Sequence, residues 1–157
     1  MRKRQMTPIP LDVPSRDEGW LDLDRIAVVE VTSEDKEYPV ECALIPGETG
    51  GWRASASGSQ TVRLVFDKPQ RLTRIALVFD EKETERTQEF VLRWSGDGGR
   101  TFRDIVRQQW NFSPSNTTRE VENYLVELSG VTILELVIVP DVSRGTARAS
   151  LQSLRVS

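Results

Sequence analysis

The chain has 157 residues, of which 38% are hydrophobic and 29% are charged, as is typical of one globular domain. Its 24 acidic and 21 basic residues give a net charge of −3, which argues against a basic surface for duplex nucleic acid. With no histidine and only one cysteine, Cys42, the chain has no internal disulfide, lacks the usual ligands of zinc, copper and iron, and lacks the commonest general base.

Residues 1–24 predict an extended lead-in over the surface, because three prolines stand among polar residues at positions 8–14. Ser15 is expected to cap one helical turn, and Trp20 to anchor the segment. The basic residues 1–4 are followed by polar residues and prolines, so no signal peptide is predicted. No stretch of about 18 apolar residues occurs, and we expect a cytoplasmic chain with no membrane partner.

Residues 25–157 predict a single β-rich domain. A helical turn is expected at residues 39–44, because proline suits the first position of a helix. Strands are expected at residues 25–31, 60–66, 72–79, 119–128, 134–138 and 150–156, and residues 90–106 are expected to form a hairpin. About eight strands, little helix and no βαβ alternation predict an antiparallel β-sandwich.

Four interruptions separate the predicted strands. Residues 68–70 contain Pro69 and are expected to turn the chain between two strands, and Gly130 is expected to end the strand before it. Residues 80–87 are expected to form a highly charged loop, and residues 110–118 another loop with two aromatic side chains.

The turn of the central hairpin reads Ser95-Gly-Asp-Gly-Gly-Arg-Thr-Phe102. It is similar to the Asp-box hairpin, whose pattern is Ser-x-Asp-x-Gly-x-Thr-aromatic. The Asp97 carboxylate is expected to accept hydrogen bonds from nearby backbone N–H groups, and the glycines to allow positive φ. We interpret the turn as structural, and its defining residues are Ser95, Asp97, Gly99, Thr101 and Phe102.

The order of the elements resembles that of a known family. The matching segments are Thr32–Asp35, Tyr38-Pro39, Ala43-Leu44, Trp52-Arg53, Gln60–Asp67, the hairpin turn, the strand with Tyr124, Leu134–Pro140 and Leu151–Arg155. This order is similar to that of discoidin, or coagulation factor 5/8 type C, domains of the galactose-binding-like superfamily, over residues 25–157. The resemblance implies a jelly roll of about eight strands. Many members close with a terminal disulfide that this chain lacks, which fits an intracellular, bacterial member.

The resemblance also implies a binding module that uses loops at one end of the sandwich, often for glycans. Sugar-binding members commonly hold a structural calcium ion before the Trp-containing segment, and the matching loop offers Glu48 and Thr49 here. Calcium prefers about six to eight oxygen ligands, so these two side chains alone indicate a solvated loop, and we expect no metal and no cofactor. The equivalent of Trp52 packs inside the sandwich in that family.

The candidate ligand site lies in the loop after the hairpin. An aromatic face can stack on the apolar side of a sugar ring, and amide and guanidinium groups can bond its hydroxyl groups. The alternative interpretation is a loop held on the core by its aromatic side chains. The predicted ligand-binding residues are Trp110, Phe112, Asn111, Arg107 and Arg86.

The residues carry no signature of an enzyme. No nucleophile elbow, phosphate-binding loop or dinucleotide fingerprint occurs, and the carboxylates of residues 80–87 are expected to be solvated. The predicted function is therefore a non-catalytic binding module for a carbohydrate or another small ligand.

A second hypothesis is a scaffold domain of the same fold that binds a protein or associates with nucleic acid. Segments at Cys42, Trp52 and Gln60 are similar in placement to the N-terminal domain of the DNA single-strand-break repair scaffold. A concave polar site would favour the small ligand, and a flat patch would favour a protein partner.

Overall fold

The computed structural model describes residues 19–157; the predicted lead-in up to residue 18, with its turn capped by Ser15, lies outside that range. The described elements are α1 (Leu23–Ile26), β1 (Ala27–Val31), α2 (Glu41–Leu44), β2 (Trp52–Ser57), β3 (Gln60–Asp80), β4 (Arg86–Ser95), β5 (Arg103–Phe112), β6 (Arg119–Val139), β7 (Arg148–Leu151) and β8 (Ser153–Val156). Neither described helix is long and apolar enough to cross a membrane.

The strands are antiparallel throughout the described pairings. Six of them form one hydrogen-bonded sheet in the order β1-β3-β6-β4-β5, with β8 paired to β3, while β2 and β7 form a small second sheet. Eight antiparallel strands confirm the predicted all-β sandwich.

Strands β3 and β6 bend, and each contributes to both layers of the sandwich. The first part of β3 pairs with β1 and with the second part of β6, whereas the second part of β3 pairs with β8 and with the first part of β6. The bend lies at the register shifts around Gln70 and its partner Val131. Across the core, the ring of Phe79 lies 5.2 Å from that of Phe90, which brings the two layers into contact.

The bend corrects two sequence predictions. Pro69 and Gly130 interrupt the strand pattern, but neither reverses the chain there, because each lies inside a continuous strand. Gly130 has a φ of 69°, which a residue with a side chain adopts at a cost. Irregularities of this kind let a strand twist away from one layer and enter the other.

The core follows the predicted period of two. Inward side chains of β3 at Leu64 and Leu77 are at most 1% exposed, as are Leu136 of β6 and Trp52 of β2. The Trp52 indole donates to the Ser33 carbonyl at 3.0 Å, so its one polar atom is paired inside. Burying each such side chain contributes about 1.5–3 kcal/mol.

Element boundaries differ from the prediction at both termini. The first strand starts at residue 27 because residues 23–26 form α1, and the last strand divides into β7 and β8 at Gln152. The helical turn after Pro39 is confirmed as α2. Trp20 is held in place as expected, since the guanidinium of Arg74 lies 3.8 Å from the centre of its ring.

The hairpin turn is built as predicted around Asp97. One carboxylate oxygen accepts from the backbone N–H groups of Arg100 and Thr101, both at 2.9 Å, and the other accepts from the Thr101 hydroxyl at 2.6 Å. The Ser95 hydroxyl donates to Asp97 at 2.7 Å and accepts from the Gly99 N–H at 2.9 Å. The Thr101 bonds, followed by those of Ser95 and Arg100, hold the pKa of Asp97 well below its usual range.

We expect Asp97→Ala to lower the melting temperature by several degrees, because it leaves the turn's N–H groups without their acceptor. The Asp97 side chain is exposed, so the substitution leaves no cavity in the core. Thermal unfolding followed by circular dichroism measures the change. Asp104→Ala removes an exposed carboxylate with one weak ion pair at 3.9 Å and serves as the control. Equal melting temperatures for the two variants would contradict the structural role of Asp97.

Candidate functional site

Three loops meet at one end of the sandwich, formed by residues 81–85, 113–118 and 140–147. Two backbone hydrogen bonds hold them in place. The Glu81 N–H donates to the Thr118 carbonyl at 2.7 Å, and the Val142 N–H donates to the Thr87 carbonyl of β4 at 2.9 Å. Between them lies a cleft of about 450 Å³, a size suited to a small ligand. We call this the loop cleft, and it is lined by Glu85, Arg86, Thr87, Asn111, Phe112, Ser113, Asp141 and Ser143.

The floor of the loop cleft is Arg86, which is only 3% exposed. Its guanidinium lies over the ring of Phe112 at 4.8 Å. Its Nε donates to Glu81 at 2.8 Å, and its Nη1 donates to the Pro140 carbonyl at 2.7 Å and to Gln88 at 3.2 Å. Its Nη2 is buried and has no hydrogen-bond partner among residues 19–157. The Arg86 side chain is 0% exposed, so it holds the floor of the cleft in place, and the two N–H groups of Nη2 are closed to a ligand.

The rim of the loop cleft supplies acceptors and donors from two loops. Asp141 accepts from the hydroxyl of Ser143 at 2.7 Å and from its N–H at 3.0 Å. These bonds, helped by the charge of Arg86, lower the pKa of Asp141, so its carboxylate is ionised at neutral pH. On the opposite side, the Thr87 hydroxyl donates to the Asn111 side-chain oxygen at 2.5 Å.

The charges of the loop cleft do not favour an anion. Glu85 and Asp141 line it with two carboxylates, whereas the one cation, Arg86, is already paired with Glu81. Hydroxyl groups can donate to the carboxylates and can also bond to the Thr87, Asn111 and Ser143 side chains. The cleft therefore suits a neutral ligand rich in hydroxyl groups.

The structure corrects the predicted position of the site residues. Trp110 and Phe112 belong to β5, not to a loop, because both are paired with β4. Phe112 is fully buried beneath Arg86, so no ligand can stack on it. Trp110 is half-buried against the core and does not line the loop cleft. Arg86 lies in β4, whereas the sequence placed it in the charged loop.

The five predicted site residues are thus divided. Arg86, Asn111 and Phe112 meet at the loop cleft. Arg107 lies on the outer face of the sheet, where it pairs with Glu89 at 3.1 Å. A ligand in the loop cleft can contact Asn111, whereas Arg86 and Phe112 are buried beneath the cleft and Arg107 and Trp110 lie elsewhere.

Sequence reasoning missed Thr87, Asp141 and Ser143. The segment Pro140-Asp-Val-Ser143 carried a usable signal, because an aspartate two residues before a serine after a strand end is typical of a side-chain-capped turn. Thr87 carried no such signal, since a threonine in a strand is ordinary.

A smaller cleft of about 190 Å³ lies beside Trp52, lined by charged side chains that include Arg53, Lys82 and Glu83. The guanidinium of Arg53 lies 5.2 Å from the ring centre of Tyr38. In the part of the chain that the structure describes, no three His, Cys, Asp or Glu side chains cluster to hold a metal ion. The expectation that Glu48 and Thr49 hold no calcium ion stays a sequence prediction.

Behind the floor of the loop cleft, further polar side chains are buried between the two layers of the sandwich. The Gln88 amide of β4 donates to the fully buried Glu120 of β6 at 3.3 Å. Burial raises the pKa of Glu120 to about 8, and the neighbouring Glu122 raises it further than Gln88 and Arg86 lower it. Glu120 therefore carries its proton at neutral pH.

Comparison of the structure with solved structures finds β-sandwich modules. The family 32 carbohydrate-binding module of NanJ from C. perfringens, in complex with galactose, has a TM-score of 0.64 at 14% identity, covering 87% of this chain and 96% of that one. The CpGH89CBM32-5 module from Clostridium perfringens, in complex with GalNAc-β-1,3-galactose, has a TM-score of 0.63 at 17% identity and covers 87% and 98%. The family 32 module of AlyQ, in complex with 4,5-unsaturated mannuronic acid, has a TM-score of 0.60 at 14% identity and covers 84% and 95%.

No protein-family model matches the sequence, and no curated protein matches it. At these low identities the structural likeness establishes the fold. The chain shares the antiparallel β-sandwich fold of these solved structures, as its spacing of strands predicted.

Proposed function

We propose that the chain is a non-catalytic carbohydrate-binding module that holds a neutral sugar in the loop cleft. The observation that carries this proposal is a cleft of about 450 Å³ whose reachable rim is polar, with the ionised Asp141 and Ser143 on one loop and Thr87 and Asn111 on neighbouring strands. These side chains offer both donors and acceptors, as the hydroxyl groups of a sugar require.

Adjacent hydroxyl groups of a pyranose fit this arrangement. One hydroxyl donates to the ionised Asp141, and the next bonds to the Ser143 hydroxyl beside it. Asn111 and Thr87 lie on the other side of the cleft, where their side chains bond further hydroxyl groups. Carbohydrate ligands in the solved neighbours, galactose among them, support this class of ligand.

The mode of binding differs from the one predicted from the sequence. Phe112 supports Arg86 from below, so hydrogen bonds replace aromatic stacking as the main contacts. Net hydrogen bonds are worth only about 0.5–1.5 kcal/mol each, so we expect weak affinity for a single sugar unit.

The proposal predicts that Asn111→Ala weakens binding of a glycan by about tenfold. A glycan array identifies the ligand, and calorimetric titration measures its affinity for each variant. Asn111 is exposed and its side chain bonds only to Thr87 among the described contacts, so we expect the fold to survive the substitution.

Gln109→Ala is the matched control, because Gln109 is also exposed, lies on the same strand and points the same way two residues earlier. We expect it to bind like the wild-type chain. Equal affinities for all three proteins would place the sugar site outside the loop cleft. An empty array together with a stable protein partner in a pull-down would replace the proposal with the scaffold hypothesis.

A further inference from the structure

The first part of β6, residues 119–128, has one open edge. It pairs with β3 on one side. Within residues 19–157 no strand pairs with its other side, because β4 forms its backbone pairing only with the second part of β6. The register with β3 is unbroken from Arg119 to Leu125. An open strand edge of this length can pair with another strand.

The outward side chains of this strand are unusually apolar for an edge. Leu125 is 88% exposed and Val121 is 52% exposed, and both lie on the outer face of the same strand. Edge strands are ordinarily protected by charged side chains or proline at such positions. Exposed apolar side chains on an open edge indicate an interaction surface.

The sequence of the outer face is complementary to itself. Its residues in order are Arg119, Val121, Asn123, Leu125 and Glu127. In an antiparallel pairing of two copies centred on Asn123, Val121 lies opposite Leu125, Arg119 lies opposite Glu127, and Asn123 lies opposite its own copy. This single register therefore brings together two apolar pairs, two pairs of opposite charges and one amide pair.

We propose that this edge binds a second copy of the chain, forming a two-fold symmetric dimer through antiparallel pairing of residues 119–127. Each of the cross-strand pairs stabilises such a sheet, and the backbone hydrogen bonds of two open edges are satisfied together. The proposal does not depend on the ligand, but a dimer would carry two loop clefts and raise the apparent affinity for a multivalent glycan.

The first test measures the oligomeric state of the whole chain by sedimentation equilibrium up to high micromolar concentration. We expect a monomer–dimer equilibrium whose dissociation constant rises about tenfold or more in Leu125→Lys. Val28→Lys is the matched control, because Val28 is 58% exposed on β1, which is the edge strand at the far end of the sheet. We expect it to dimerise like the wild-type chain.

The charges test the register. Arg119→Glu places like charges opposite each other and should weaken the dimer about fivefold, whereas combining it with Glu127→Arg should restore the dimer. Glu127 also pairs with Arg71 at 3.7 Å, but both side chains are largely exposed and this pair contributes little.

A cysteine pair tests the symmetry axis in a chain whose native thiol is removed by Cys42→Ala. Residues directly opposite in an antiparallel sheet lie about 4.5–5.5 Å apart between Cα atoms, within reach of a disulfide. Asn123→Cys should therefore form a cross-linked dimer on mild oxidation. Val121→Cys should not, because the two copies of residue 121 lie about 14 Å apart in this register.

Three results would overturn the proposal. The wild-type chain would remain monomeric at high micromolar concentration, the dimer would persist in Leu125→Lys and dissociate in Val28→Lys, or Val121→Cys would cross-link while Asn123→Cys would not. If the wild-type dimer is stable but only Val121→Cys cross-links, the same edge pairs in a different register.

Discussion

Replacing Arg86 with methionine is expected to lower the free energy of unfolding by about 3 kcal/mol. The Arg86 side chain is fully buried and its partner Glu81 is 13% exposed, so the ion pair lies almost out of water. Methionine keeps the packing over Phe112 but leaves Oε1 of Glu81 and the carbonyl of Pro140 without their donor. Breaking one side of a buried pair is costly because the remaining charge is desolvated and unpaired.

Urea unfolding measures this change as a lower midpoint at constant slope. Arg107→Met is the matched control, since Arg107 is 59% exposed and pairs with Glu89 and Asp104 at the surface. We expect the control to change stability by less than about 1 kcal/mol. An Arg86→Met protein as stable as the control would show that the floor of the loop cleft does not depend on its ion pair.

Replacing Glu120 with glutamine is expected to raise the melting temperature by several degrees at about pH 9 and to leave it nearly unchanged at about pH 5. In the folded chain the pKa of Glu120 is raised from 4.5 to about 8. The folded state therefore binds this proton more tightly than the unfolded state, and stability falls as the pH rises through that window. Glutamine stays neutral at both pH values and can still accept from Gln88.

Thermal unfolding of the wild-type chain and of Glu120→Gln at the two pH values tests this prediction. Glu127→Gln is the control on the same strand, because its side chain is 85% exposed and its ion pair with Arg71 is weak. We expect little change for the control at either pH. A Glu120→Gln protein that is destabilised at about pH 9 would mean that Glu120 is needed in its ionised form.

Sequence patterns predicted those parts of the fold where the inner face is apolar. Leu64 and Leu77 of β3 and Phe90 and Leu92 of β4 recur with a period of two, and the structure buries them as expected. The turn at Asp97 was equally readable, because its hydrogen bonds are local and its residue types are specific to them.

The pattern failed near the loop cleft because the inner face becomes polar there. Arg86 and Gln88 point inward, so the start of β4 loses the apolar signal of a strand while remaining a strand. Residues 110–112 were also predicted as part of a loop, although β5 continues to Phe112. A period of two in hydrophobicity reports burial only where the buried residues are apolar.

The bends in β3 and β6 could not be predicted from the sequence either. A proline or glycine between two apolar runs fits a chain reversal and a bulge equally well. Only the pairing of Gln70 with Val131 distinguishes them, and that contact joins residues far apart in the chain.

Because β3 and β6 each serve both layers, neither layer can separate without breaking strands that the other needs. The loss of one layer's contacts therefore propagates along the shared strands, and the domain should unfold as one cooperative unit instead of in two steps. A sugar held at the loop cleft touches only the ends of β4 and β5 and the loops beside them, yet it would protect amide protons throughout the sandwich.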